Sequence, residues 1–200
     1  MPSRVKTCMA AVAALEPDAQ LMLRVKEGDA ASFDLLLARH RAPVVHYLYR
    51  MVQNQAVAEE LAQEVFLRVY KARWSYEPTA KFTTWLFRIA THLALNHLRD
   101  GRADRAGESL DQEAPGCLLR QLPDRRPTIE QELLEEVRRA EVRMAVMALP
   151  GKQRAAVLMH KYLEMEYTQI ARVLNCSESA VKSLLFRAYE KLRARLAHLV

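Results

Sequence analysis

Apolar residues recur at intervals of three and four along most of this chain, the spacing that lines one face of an α-helix. Asp18 is placed to cap a short first helix that stops at Gly28, and Asp29 can cap the next. In that second helix Phe33, Leu36, Leu37, Val44, Tyr47, Leu48 and Met51 form the apolar stripe, and Pro43 is expected to kink or restart it. Asn54 precedes a third helix in which Val57, Leu61, Val65 and Val69 fall every fourth residue with Phe66 beside them; Glu59, Glu60, Gln63 and Glu64 occupy the remaining surface. Trp74 to Lys81, interrupted by Pro78, reads as a loop.

A fourth helix is expected from about Thr84 to Arg99, with two faces. Trp85, Leu86, Ile89, Ala90 and Leu93 form the apolar one, while Thr84, Arg88, His92, Asn96 and then Arg99 form a polar stripe without an acid. Glycines and prolines break the pattern between Asp100 and Pro127, which marks a flexible linker. A second helical block opens at the capping residue Thr128 and runs through Leu133, Leu134, Val137, Val142 and Met144 toward Leu149, before Pro150 and Gly151 end it. Lys152 to Tyr162, Thr168 to Leu174 and Glu178 onward form three more helices, the last two separated by Asn175-Cys176-Ser177. Asn175 tolerates the left-handed turn conformation and Ser177 is a good N-cap, so Ile170, Ala171 and Leu174 can pack on Val181, Leu185 and Ala188.

The chain is therefore expected to be all-α: two small helical domains joined by a flexible linker, the C-terminal one a helix-turn-helix. The boundaries are an extension over 1–18, a first domain over 19–99, a linker over 100–127 and a second domain over 128–200. A composition that is 50% apolar with only 5 glycines agrees with helical cores and excludes a disordered or glycine-rich chain. Net charge changes the picture more. It is +6 overall, but divides into +4 over 19–99, −3 over 100–148 and +5 over 149–200, so two basic blocks flank an acidic middle. Each basic block suits a polyanion.

Candidate chemistry narrows the choice. Cys8, Cys117 and Cys176 are too widely spaced for a metal pair, and His92 and His97 have the wrong helical spacing to share a metal, so no metal or cofactor is expected. Met9 to Leu15 is too short for a signal peptide and no apolar run is long enough to span a membrane; a reduced, cytoplasmic protein without membrane insertion is expected. In the last helix Ser179, Lys182, Ser183, Phe186 and Arg187 face away from the apolar side. Such a helix enters a DNA major groove, where Lys, Arg and Ser bond base edges or phosphates and Phe meets a thymine methyl. An ordinary helical hairpin with a basic face is the plainer alternative, and Cys176 is read as a small packing residue of that turn.

Several segments, in order, resemble the extracytoplasmic-function (ECF) sigma factors, small bacterial RNA polymerase subunits. Ala58 to Leu67 and Phe82 to Ala90 are similar to the family's region two; Leu149-Pro150, Arg154, Ile170-Ala171 and Val181 to Ala188 are similar to region four. The resemblance implies a transcription initiation factor without catalysis of its own, which binds core RNA polymerase through its clamp helices and flap region and directs it to promoter DNA, with an anti-sigma factor as a further partner. It assigns Glu60, Gln63 and Glu64 to the clamp helices. The loop around Tyr76, with Lys81, Arg88, His92, Asn96 and Arg99, would meet the single-stranded minus-ten element, and Ser179, Lys182, Ser183, Phe186 and Arg187 the duplex minus-thirty-five element. An opened strand needs an aromatic surface, cations and hydrogen-bond donors. Tyr76 and Trp74 are the candidate aromatics; of these, Trp74 is expected to pack at the loop edge and Trp85 to lie in the core. His92 and Asn96 stand where the family more often has Asn and Asp, and Leu184 where it usually has Arg, which leaves promoter preference open. A self-standing helix-turn-helix regulator is the competing reading. A helical metalloenzyme would need a Glu-x-x-His pair that the third helix lacks.

Overall fold

The computed structural model describes residues 16–105 and 129–199, with side chains over 16–101 and 135–199. All regular structure among them is helical, and the chain divides into two units, Met1–His97 and Leu98–Val200.

The first unit contains α1 (Pro17–Lys26), α2 (Ala30–Val52), α3 (Gln55–Lys71), a 3-10 turn at Ala72–Ser75 and the start of α4 (Phe82–Arg105). Its core is built from the apolar stripes: Met22 and Val25 of α1, Leu36, Val44, Leu48 and Met51 of α2, Val65 and Val69 of α3, and Phe82 and Leu86 of α4 are all buried. Asp29 caps α2 by accepting the Ser32 N–H at 3.3 Å and its hydroxyl at 2.7 Å. The hydroxyl bond is the larger cause holding this carboxyl below its ordinary range. Asn54 caps α3 through the Val57 N–H at 3.1 Å. Buried Tyr47 ties α2 to α4, its hydroxyl 2.8 Å from Thr91 Oγ1 and its ring edge-on to Phe87.

Several local expectations change. The first helix starts at Pro17, a residue that needs no N–H donor there, so Asp18 lies inside it and bonds Arg39 at 2.7 Å and His40 at 2.9 Å instead of capping. The helix therefore begins inside the expected 1–18 extension. Pro43 does not restart α2, which is continuous; buried Leu36, Val44 and Leu48 on either side outweigh the lost backbone bond. On α3 the buried positions are Ala58, Ala62, Val65, Phe66 and Val69, with Val57 and Leu61 only half-buried, because the small alanines face the packed side. On α4, Phe82, Leu86, Phe87, Ala90 and Leu93 are buried, whereas Trp85 and Ile89 are half-buried. This helix continues through Gly101 to Arg105, so the first six residues of the expected linker are helical. A glycine costs a helix only about 1 kcal/mol and does not by itself end one.

The second unit contains α5 (Ile129–Met147), α6 (Gly151–Tyr162), α7 (Tyr167–Leu174), α8 (Glu178–Arg195) and a 3-10 turn at Ala197–Leu199. Both α6 and α7 pack on α8. On α5 the expected apolar stripe is largely uncovered: Val137, Val142 and Met144 are exposed, while Ala145 and, just after the helix, Leu149 are buried. Buried Arg154 donates to the Met147 carbonyl, left unpaired at the end of α5, and to the Leu149 carbonyl in the connection that follows. The rest of the linker (106–127), with Asp111, Glu113, Cys117 and Asp124, lies outside the described residues, as do residues 1–15 with Cys8, Thr128, and the side chains of Leu133 and Leu134.

Candidate nucleic-acid interfaces

In the second unit the helix-turn-helix is assembled almost wholly from local chemistry. Asn175 adopts the left-handed conformation (φ 51°, ψ 56°) and ends α7; the Cys176 N–H bonds the Ala171 carbonyl at 3.0 Å. Ser177 then accepts the Ala180 N–H at 3.2 Å and starts α8. Gln169 accepts the Glu166 N–H at 2.9 Å at the other end of α7. Ile170, Ala171, Leu174, Val181, Leu185 and Ala188 are buried between the two helices. That burial turns Ser179, Lys182, Ser183, Phe186 and Arg187 to solvent, with Phe186 67% exposed. The two serines are held locally, Ser183 donating to the Ser179 carbonyl at 3.0 Å and Ser179 Oγ lying 2.9 Å from Ser177 Oγ. Cys176 is a free, half-buried thiol in the turn, and Leu184 is half-buried.

The first unit presents its polar groups on α4 and on the segment before it. Arg88, His92 and Asn96 are exposed along one helix face, preceded by exposed Lys81; just past the unit's end on the same helix Arg99 is exposed too and pairs with Asp100 at 3.1 Å. Thr84 does not belong to this face: it is buried, and its hydroxyl has no hydrogen-bond partner.

The loop's two candidate aromatics exchange places relative to expectation. Tyr76 is only 3% exposed, its ring centroid 5.0 Å from Trp85 and 6.3 Å from Phe82. Its hydroxyl has no partner, and burial, reinforced by the negative charges of Glu16 and Asp18, pushes its pKa up to about 12. With no open ring face, Tyr76 is not a stacking surface. Trp74 is instead 60% exposed, beside an Arg73 guanidinium 3.9 Å from the Tyr70 ring centroid and 4.6 Å from that of Trp74. The half-buried Trp85 and buried Phe82 of α4 draw in one of two aromatics that stand two residues apart, and loop composition cannot say which.

On α3, Glu60 and Gln63 are exposed and Glu64 accepts a bond from Arg68 at 2.7 Å. Beside them runs a groove of about 520 Å³ between α2 and α3, floored by Phe33, Leu37, Val45, Phe66, Leu67 and Tyr70, with Arg41, Glu59 and Gln63 also lining it. The sequence reading missed this groove, because Phe33, Leu37 and Phe66 read as parts of core stripes. Among the described residues, no group of three or more His, Cys, Asp or Glu stands where it could hold a metal ion, and no helix is long and apolar enough to cross a membrane.

Two helical units, the second carrying a helix-turn-helix with an exposed basic face, define a DNA-binding architecture. Comparison with known proteins makes the class specific. The Sigma-70 region 2 family profile matches residues 36–104 and that of Sigma-70, region 4 matches residues 139–192. The chain is 33% identical to the RNA polymerase sigma factor CarQ of Myxococcus xanthus, over 89% of this chain and 97% of the relative. It is 29% identical to the ECF RNA polymerase sigma factor SigW of Bacillus subtilis, over 88% and 95%. Its fold is similar to that of the sigma factor RpoE of Bartonella quintana, solved with the anti-sigma factor NepR: TM-score 0.64, 20% identity, 82% of this chain and 96% of that one. The chain belongs to the ECF sigma factors, which act in transcription initiation with RNA polymerase.

Proposed function

We propose that the two units divide promoter recognition between them. The first, over 19–99 together with the start of α1, docks on core RNA polymerase and takes the opened minus-ten strand; the second, over 128–200, reads the minus-thirty-five duplex; 100–127 connects them. The observation that carries this reading is the separation of two kinds of surface on the first unit: an apolar groove edged by Glu59 and Gln63 between α2 and α3, and an acid-free row of Arg88, His92 and Asn96 on α4. A protein helix suits the groove and a polyanion suits the row. Glu60, Gln63 and Glu64 then contact the clamp helices, and the flap region engages the second unit. Lys81, Arg88, His92, Asn96 and Arg99 line the unpaired strand, with Trp74 as the exposed stacking ring. Ser179, Lys182, Ser183, Phe186 and Arg187 enter the major groove.

An anti-sigma factor, the kind of partner named for the Bartonella relative, is expected to compete with core polymerase for the α2–α3 groove. The protein acts in the cytoplasm, where the polymerase is, and performs no catalysis itself. The test adds purified protein to core polymerase lacking any sigma subunit, with a library of promoters. Promoter-specific transcripts are expected; stable duplex binding without transcripts would favour a self-standing regulator. Glu64→Lys should weaken polymerase binding and leave duplex binding unchanged, and unaltered polymerase affinity would remove Glu64 from that surface.

A further inference from the structure

The loop between the 3-10 turn and α4 has no regular secondary structure, and its ends are held from the two ends of α1, by Lys26, the last residue of that helix, and by Glu16, its N-cap; α1 lies in neither proposed DNA-facing surface. At the first end Lys26 Nζ donates to the Tyr76 carbonyl at 3.1 Å; at the second, the Glu16 carboxylate accepts the Phe82 N–H at 3.0 Å. The Phe82 N–H is one of the donors that the first turn of α4 leaves unpaired, and a carboxylate there also meets the positive end of the helix dipole. Lys26 supplies a polar tie that the unpartnered Tyr76 hydroxyl does not. The two residues sit at opposite ends of a ten-residue helix, a rigid span of about 15 Å. That span is itself anchored, with Ala19, Met22 and Val25 buried and Asp18 bonded to Arg39 and His40.

We infer that Glu16 and Lys26 are positioning residues for promoter opening: α1 acts as a strut that sets the distance between the two ends of the loop, and so the angle at which Trp74, Lys81 and the Arg88 row meet an unpaired strand. This rests on the assignment of that loop and row to the minus-ten strand.

The test uses holoenzyme assembled on core polymerase. It measures affinity for a single-stranded oligonucleotide carrying the non-template minus-ten sequence of a promoter the holoenzyme transcribes, at a temperature where circular dichroism shows every variant folded. Glu16→Ala and Lys26→Met are each expected to weaken this binding about tenfold, the scale of one charge-assisted hydrogen bond. Affinity for core polymerase and for minus-thirty-five duplex should stay within about twofold, well under the 1.4 kcal/mol of a tenfold change. Lys26→Arg and Glu16→Gln, which keep a donor and an acceptor, should restore most of the loss. A purely structural role would lower the melting temperature and leave single-strand affinity unchanged, which overturns the inference. Trp74→Ala and Arg88→Ala are the control. If they lose binding while Glu16→Ala and Lys26→Met do not, the strut is wrong and the loop assignment stands; if they too leave binding unchanged, the loop assignment falls and takes the strut with it. Should either α1 variant fail to fold, the other carries the test.

Discussion

The α7–α8 turn and the loop before α4 make an instructive pair. Both are short, and each adjoins an element that carries a strongly exposed aromatic, Phe186 on α8 at 67% and Trp74 in the 3-10 turn at 60%. They are stabilised in opposite ways. The turn is closed by neighbours: Ser177 caps a residue three positions on, and Asn175 supplies the left-handed backbone. The loop is closed by partners 50 and 66 residues away, Lys26 on Tyr76 and Glu16 on Phe82. A surface built by local chemistry survives changes elsewhere in its unit, while one built by distant contacts depends on the whole unit being folded.

The largest expected effect breaks the loop and spares the turn. Phe82 is fully buried between Tyr76, Trp85 and His40, so Phe82→Ala should cost the first unit about 3–5 kcal/mol, measured by urea unfolding, and leave the second unit's transition in place. A shared shift of both transitions would show that the two units do not fold independently. Next, Arg187→Ala should reduce minus-thirty-five duplex affinity by about 1–3 kcal/mol at constant salt, with polymerase affinity intact. An equal fall in both affinities would contradict the outward face assigned to α8. Ser177→Ala, which removes the cap of α8, should lower the second unit's stability by about 1 kcal/mol in thermal or urea unfolding.

The smallest effect sharpens the comparison from the other side. Tyr76→Phe deletes a buried hydroxyl that has no partner, so stability at neutral pH should change by less than about 0.5 kcal/mol. The hydroxyl's pKa is raised to about 12 in the fold, against an ordinary value of about 10. Its stabilisation is thus fully present below about pH 10 and declines as pH rises toward 12; Tyr76→Phe should flatten the stability profile in that window. A profile identical to that of the unaltered protein would show that Tyr76 is not buried as described.

Sequence legibility follows the same division. Helix-turn-helix geometry was readable because Asn175, Ser177 and the alternation of Val181, Leu185 and Ala188 with Lys182, Phe186 and Arg187 report their own conformation. The polar row on α4 was readable from Arg88 onward for the same reason, a single helix period. Thr84 broke from that row because burial depends on what lies opposite, and Val137, Val142 and Met144 show the converse: periodicity marks an apolar face without supplying a partner to cover it. The α2–α3 groove was hidden because Phe33, Leu37, Phe66 and Tyr70 have the same spacing whether they close a core or line a cleft.

The helical pattern, the caps at Asp29 and Ser177, the two basic blocks and the family were legible in the residues alone, since each depends on residues near one another or on the order of motifs along the chain. That Tyr76 turns inward and Trp74 outward, that Asp18 bonds Arg39 and His40 rather than capping, and that Glu16 and Lys26 hold the loop's ends emerges from the packed unit alone. Those choices are made by groups that meet across tens of residues, where the free energy of burial and pairing outweighs what any local stretch prefers.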